Sequence, residues 1–233
     1  MKCRQFTTED QNVFAKLSGD YNPLHIDEVA SRRLIFGSPV VHGVHGLLWG
    51  LDCLLEDKNE KFNISSIKAV FPKPIKVGDE VFFSFINQGN LSYRIELSTE
   101  QSIASVITVQ FDTENHLDCD FLNISFPEKL SPRALSDKEI ETDSDELKLY
   151  LNFDVATQMF PHLIRCLSPL HISVILGTTQ IVGTRCPGLH SIYSEISLSK
   201  TVTSSRTTLD YEVTKLDKRV GLILIKLESA DMT

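Results

Sequence analysis

The sequence predicts an α+β fold. Helical segments come first and four strand-like segments follow, an order that sets helices against an antiparallel sheet. The longest apolar run, Val41 to Leu55, reads as a buried helix even though Gly43, Gly46 and Gly50 are poor helix formers. The order helix, helix, strand, strand, strand then returns in the second half, although no sequence block recurs.

Each element follows from local pattern. Phe6 to Ser18 is a lead-in and a helix: Thr8 caps it, Gln11 closes a capping box, and Val13, Phe14 and Leu17 share one face. Asp27 to Arg33 is a short second helix. In the buried helix over 41–55 the glycines let another backbone or a ligand come close. Ile64 to Phe71, Val81 to Gln88, Leu91 to Ser98 and Ile103 to Phe111 are strands; the last is apolar on both faces and therefore covered on both. Gly78-Asp79 and Gln88-Gly89-Asn90 are turn signals between them.

Residues 115–146 change in composition. Asp118, Asp120, Glu139, Glu141, Asp143, Asp145 and Glu146, with Pro127 and Pro132, read as an acidic linker ordered around Phe121 to Phe126. The expected units are therefore 1–114, the linker 115–146, and 147–233. In the last unit, Asp154 to Ser168 and His171 to Val182 read as helices. Ser191 to Ser199, Thr207 to Lys215 and Val220 to Glu228 read as strands.

Composition excludes several function classes. At 233 residues and 42% hydrophobic content the chain can bury real cores. No apolar run approaches the ~20 residues that span a bilayer. The start, Met1-Lys2-Cys3-Arg4-Gln5, has no apolar stretch behind it, so no signal peptide is expected and the cytoplasm is the default location. Cys3, Cys53, Cys119, Cys166 and Cys186 are widely spaced, which argues against a disulfide framework and a zinc site. A net charge of −8 without a basic helix disfavours nucleic-acid binding. Arg32-Arg33 and Lys68, Lys73 and Lys76 are the basic groupings that could meet an acidic carrier protein; solvated surface charge explains them as well.

The stretch richest in chemistry is Leu17-Ser18-Gly19-Asp20-Tyr21-Asn22-Pro23-Leu24-His25. Pro23 lacks an N–H and keeps Asn22 out of the α region, so the helix stops near Gly19 and a rigid turn follows. Asp20 and His25 then project from a stiff loop at a fixed gap, as proton transfer needs. Asp and Asn also make ordinary turns by bonding their own backbone, and the loop alone leaves both readings open. His42 and His45 lie three apart on one face of the buried helix. With no third ligand at suitable spacing, they read as packed histidines and no metal is expected.

In its wider setting this stretch resembles the signature of the MaoC-like dehydratases, or (R)-specific enoyl-CoA hydratases, which have a hot-dog fold. Their pattern of an apolar residue, a small residue and Gly-Asp-x-Asn-Pro-[Leu/Ile]-His is matched at every position. Two further blocks follow in order: Phe36-Gly37-Ser38-Pro39-Val40-Val41-His42-Gly43, and Phe71-Pro72-Lys73-Pro74-Ile75-Lys76-Val77-Gly78-Asp79-Glu80-Val81. The resemblance covers about residues 1–114. It implies Asp20 and His25 as catalytic residues, and Asn22 as support for them. The Gly43 N–H would face a thioester carbonyl, with His42 beside it in the substrate site. The implied reaction is reversible syn addition of water to a trans-2-enoyl thioester, giving an (R)-3-hydroxyacyl thioester, with no cofactor beyond the CoA or phosphopantetheine of the substrate. A hot-dog fold also implies a helix that lines the acyl tunnel, where His45 and Trp49 are bulky departures.

The second half has no such signature. Leu167-Ser168-Pro169-Leu170-His171 stands at the corresponding place without an acid, so a degenerate second hot-dog unit is expected, its His171 a helix-start residue without chemistry. Hot-dog units work in pairs, so the chain is expected to be a homodimer or a pseudo-dimer within itself. Two rivals remain: a hot-dog thioesterase, and a non-catalytic acyl-thioester binding or structural subunit, which a tunnel blocked by His45 and Trp49 would favour.

Overall fold

The chain enters the structure on a strand. This computed structural model describes residues 2–33, 36–113, 124–201, 207–229 and 232–233. Asp118, Cys119, Asp120 and Phe121, singled out above, lie outside the described residues. β1 (Lys2–Gln5) occupies what the sequence pattern leaves as lead-in, and four residues are too few to carry a visible period. α1 (Thr8–Ser18) follows. Its cap is Thr7 rather than Thr8: Asp10 N–H donates to Thr7 Oγ1, and the Asp10 carboxylate accepts from Thr7 N–H in return. Gln11 is therefore free of capping and is wholly buried.

α2 (Pro23–Ile26) and α3 (Glu28–Ser31) are single turns that lead to α4 (Gly43–Leu55). The strands β2 (Asn63–Val70), β3 (Glu80–Gly89), β4 (Ser92–Ser98) and β5 (Ile103–Asp112) fall where their patterns predict. Next come α5 (Asp137–Glu141) and β6 (Ser144–Lys148), so the acidic stretch is not linker throughout. Pro161 divides the helix predicted over 154–168 into α6 (Phe153–Met159) and α7 (Pro161–Cys166), because a proline cannot donate within a helix. α8 (Pro169–Gln180) runs into a π-helical turn, Ile181–Arg185. β7 (Glu195–Ser199), β8 (Thr208–Asp217) and β9 (Leu222–Glu228) complete the chain.

The strands form two antiparallel sheets, β1-β3-β4-β5-β2-β7 and β6-β8-β9. The first wraps α4, as a hot-dog fold requires. Gly46 and Gly50 make that approach possible, but their neighbours are apolar side chains and not a ligand: Leu97 of β4 and Ile75 of the β2–β3 connection against Gly46, and Ile107, Ile95 and Leu97 against Gly50. The second sheet repeats the device on α8, where Gly177 meets Leu209, Leu149 and Leu147. β6, β8, β9 and β7 correspond to β1, β3, β4 and β2, and Thr233 pairs with Ser199 at the end of β7, its N–H bonding Ser199 O at 2.9 Å.

The halves are joined edge to edge. β2 pairs with β7 from Ser66↔Ser199 to Val70↔Glu195. His171 has a structural task here: its Nδ1 accepts the Ile64 N–H at 3.0 Å, close to where β2 slips register. The Asp52 carboxylate accepts the N–H groups of His162 and Leu163, both at 2.8 Å. It supplies the start of α7 with the acceptor that Phe160 lacks. One continuous apolar core runs through both halves.

His45 and Trp49 belong to this core and not to a tunnel. The His45 ring stacks on Phe14 at 4.6 Å and meets Phe6 and Phe160 edge-on; Trp49 packs on Phe6 and Phe83. Gln11 Nε2 donates to His45 Nδ1 at 3.2 Å, which fixes the proton on Nε2, an atom with no partner among the described residues. Burial, and then the nearby Arg4, push the His45 pKa down to about 3, against the pull of Asp10. A lowered histidine pKa gives stability that is present above pH 6.5 and lost as pH falls. Replacing His45 by leucine removes that loss. Denaturant unfolding at pH 6.5 and 4.5 should show a decline about 2–3 kcal/mol smaller in His45→Leu than in the parent.

Candidate functional site

The turn after α1 is built by its own side chains. Gly19 takes the left-handed conformation at φ +78° and ends the helix, its N–H bonding Ala15 O at 2.8 Å. The Asn22 N–H donates to Asp20 Oδ1 at 3.1 Å, closing an Asx turn. Asn22 Oδ1 in turn accepts the Leu24 N–H at 3.1 Å and caps α2, with Pro23 at its first position. The rigidity inferred from Asn-Pro thus comes from a cap and a proline acting together. α2 carries His25 back toward Asp20.

His25 is oriented by backbone. Its Nδ1 lies 2.8 Å from Val40 O, which can only accept, so Nδ1 carries a proton and Nε2 is the working nitrogen. The ring stacks on His42 with centroids 3.8 Å apart. His42 is held on both sides, Nδ1 at 2.9 Å from Gln11 Oε1 and Nε2 at 3.1 Å from the Asp20 carbonyl oxygen. Gln11 Oε1 also accepts the His42 backbone N–H at 3.1 Å.

A cleft of about 270 Å³ opens over this group. Asp20, His25 and Gly43 line it, as the sequence predicts, and Leu24, Val41, Phe71 and Ile75 give it apolar walls. The Gly43 N–H, at the start of α4, has no described acceptor. His42 does not stand in the cleft where the resemblance puts it, and Asn22, implied as a support, stands beside it. His42 and Asn22 are not among the residues lining the cleft: both His42 ring nitrogens face protein oxygens, one of them donating in the neutral ring, and Asn22 spends its amide on Gly183 O and Gly188 O at 3.3 and 3.2 Å. Both stand behind the site rather than in it.

The second half supplies the other wall: Thr179, Val182, Gly183, Ser191 and Tyr193. Thr179 Oγ1 lies 2.7 Å from Asp20 Oδ2. Sequence reasoning missed these residues, and Ser105 of β5 as well. The available signal was the polar run Thr178-Thr179-Gln180 that ends a mostly apolar helix.

Burial dominates the electrostatics. It raises the Asp20 carboxyl above its usual range and lowers His25 below its own, while the attraction between the two opposes both changes. His42 is lowered well below the ordinary imidazole value by burial and by His25. Burial thus moves the proton affinities of the acid and the base toward each other. Asp20, His25 and His42 place one potential ligand atom each within 4.8 Å of one another, a possible metal donor set. With Nδ1 of His25 and both nitrogens of His42 engaged, a metal would have to displace existing bonds. The thiols of Cys53 and Cys186 are pushed up by burial to about 11 and about 12, so neither is an activated nucleophile. Of the basic groupings, Lys73 borders the cleft, Lys68 pairs with Glu195 at 2.9 Å and Arg32 with Glu28 at 3.6 Å.

Residues 2–109 match the family model of the MaoC like domain. The chain is 34% identical over 89 residues to the peroxisomal hydratase-dehydrogenase-epimerase of Saccharomyces cerevisiae, covering 35% of this chain and 10% of that protein. It is 30% identical over 99 residues to the peroxisomal multifunctional enzyme type 2 of Mus musculus, covering 42% and 13%. The matched part is thus a small fraction of these relatives' length. A solved MaoC-like dehydratase aligns over 99% of this chain and 94% of its own with a TM-score of 0.65 and 10% identity. A MaoC domain protein dehydratase from Chloroflexus aurantiacus aligns over 92% and 78% with a TM-score of 0.57 and 10% identity. The last two show a shared fold that extends through the second half. Among the described residues, no helix is long and apolar enough to cross a membrane.

Gly183 tests how closely the halves meet. A Cβ there would lie 2.1 Å from Asp20 Oδ1, whereas one at Gly46 would sit 3.4 Å from Leu97 Cδ1. Gly183→Ala should destabilise by about 1–3 kcal/mol through overpacking. Gly46→Ala, in a helix interior, should stay within about 1 kcal/mol of the parent. Denaturant midpoints measure both.

Proposed function

Because residues 2–109 match the family model of the MaoC like domain, we propose that the chain hydrates a trans-2-enoyl thioester reversibly to an (R)-3-hydroxyacyl thioester, with Asp20 and His25 as the acid–base pair. The observation that carries this reading is that buried Asp20 and half-buried His25 line one cleft, with the Gly43 N–H, which has no acceptor among the described residues, on the same wall.

The geometry favours a division of labour. Both Asp20 oxygens already accept hydrogen bonds, from Asn22 N–H and from Thr179 Oγ1, which suits an ionised carboxylate. Asp20 then takes a proton from water as its oxygen attacks C3. His25, protonated on both nitrogens and anchored through Nδ1, delivers the Nε2 proton to C2 on the same face. A water proton replaces the one delivered, so the pair ends with the single proton it began with, and no redox cofactor takes part. The Gly43 N–H and the positive end of α4 oppose the charge that builds on the thioester oxygen. The apolar walls accept the acyl chain, and the pantetheine arm of CoA or of a carrier protein reaches in from the side of Lys73. The pairing of β2 with β7 supports the second unit standing where a partner subunit would otherwise complete the cleft.

The thioesterase reading needs a water held for attack at the carbonyl carbon. The acid–base pair is arranged for protons and the enoyl signature accompanies it, so hydration is preferred.

Purified protein with crotonyl-CoA and longer trans-2-enoyl-CoAs should consume the enoyl absorbance without releasing free thiol. Asp20→Asn and His25→Ala should each lower the rate about 10²–10⁴-fold. kcat/KM should follow a bell against pH, since the pair works while it holds one proton. Thiol release without loss of the enoyl band would favour the thioesterase.

A further inference from the structure

Thr179 sits near the end of α8 and is 3% exposed. A helical threonine commonly returns its hydroxyl to a carbonyl one turn back. Thr178 does so, donating to Ile175 O at 2.7 Å. Thr179 instead crosses between the halves, its Oγ1 2.7 Å from Asp20 Oδ2. The surrounding contacts repeat the same grip. Thr184 Oγ1 donates to Gly19 O at 3.2 Å, the Asn22 amide reaches Gly183 O and Gly188 O, and Gly183 lies against the Asp20 carboxylate with no room for a side chain. The segment that does this includes the π-helical turn over Ile181–Arg185, where the Cys186 N–H returns to Ile181 O.

We infer that Thr179 is a positioning residue for Asp20, so that the half of the chain without an acid–base pair completes the site of the half that has one. The inference rests on the hydratase reading of Asp20 and His25. A carboxylate can rotate about its Cβ–Cγ bond, and a base that rotates loses its aim on the water. Asn22 N–H holds Oδ1; Thr179 holds Oδ2. The hydroxyl also donates to the ionised form and so eases removal of its proton. The titratable groups facing this carboxylate are His25 and His42, the latter with Nε2 4.0 Å from Oδ2. Across the interface, Thr179, Val182 and Gly183 bring no charge, and Arg185 pairs with Asp145 at 3.5 Å. The effect of Thr179 is therefore that of one oriented hydroxyl.

Thr179→Val keeps the shape and removes the hydroxyl, and Thr179→Ser keeps the hydroxyl. In the full chain, Thr179→Val should lower kcat for enoyl-CoA hydration about 10–100-fold with KM little changed. It should move the acid limb of the pH profile upward, and Thr179→Ser should restore both. Independently of turnover, the carboxyl carbon of Asp20, followed by 13C NMR and identified by its loss in Asp20→Asn, should bind its proton more tightly in Thr179→Val, by a factor of about ten. An unchanged titration in Thr179→Val overturns the inference. A Thr179→Ser variant as impaired as Thr179→Val also overturns it, since shape alone would then matter. If the parent hydrates no enoyl-CoA, the hydratase reading fails by itself. The Asp20 titration then decides the matter: tighter proton binding in Thr179→Val upholds the hold on Asp20.

Discussion

Burying the Asp20 carboxylate is the constraint around which the two halves are arranged. A carboxylate removed from water has to be neutralised or given hydrogen-bond donors. The donors come from both directions: Asn22 N–H from its own turn and Thr179 from α8. The turn that presents it is secured in the same way, because Asn22 bonds carbonyls of residues 183 and 188, and Thr184 bonds Gly19 O. Separating the halves would expose their shared apolar core and leave a buried acid poorly satisfied.

The same arrangement explains the histidines. His25, His42 and His45 are close in space and wholly or largely buried, yet one of them faces the cleft. Gln11 divides the other two between its oxygen and its nitrogen, His42 on Oε1 and His45 on Nε2. His45 is given to the aromatic packing beneath α4, and His42 supports the ring of His25 by stacking. Depressed proton affinity in His42 and His45 keeps positive charge out of the core, while the carboxylate beside His25 opposes the effect of burial there.

Much of this was legible in the sequence. Gly19, Asp20, Asn22, Pro23 and His25 act locally, through a left-handed cap, an Asx turn and a proline at a helix start, and such chemistry is written in adjacent residues. The first sheet was legible because its strands alternate and are separated by turn residues. What escaped depends on the meeting of distant segments. β1 was too short to show a period, and the exchange of Thr8 for Thr7 as cap turned on a single residue. The Gly46 and Gly50 notches receive Leu97 and Ile107 from strands far along the chain, and His45 packs where only the folded helix orientation reveals it. The partnership of Thr179 with Asp20 spans 159 positions, and no local pattern announces it.

The central claim is that one acid–base pair, on one wall of a cleft shared by both halves, performs both proton transfers of a hydration. The stereochemistry of the product tests this most directly. Crotonyl-CoA incubated with the protein in deuterium oxide, followed by assignment of the configuration at C2 and C3, reports the faces used. Hydration by Asp20 and His25 on one wall should give an (R)-3-hydroxyl with deuterium added syn at C2. An (S)-alcohol, or deuterium added anti to the hydroxyl, would contradict it.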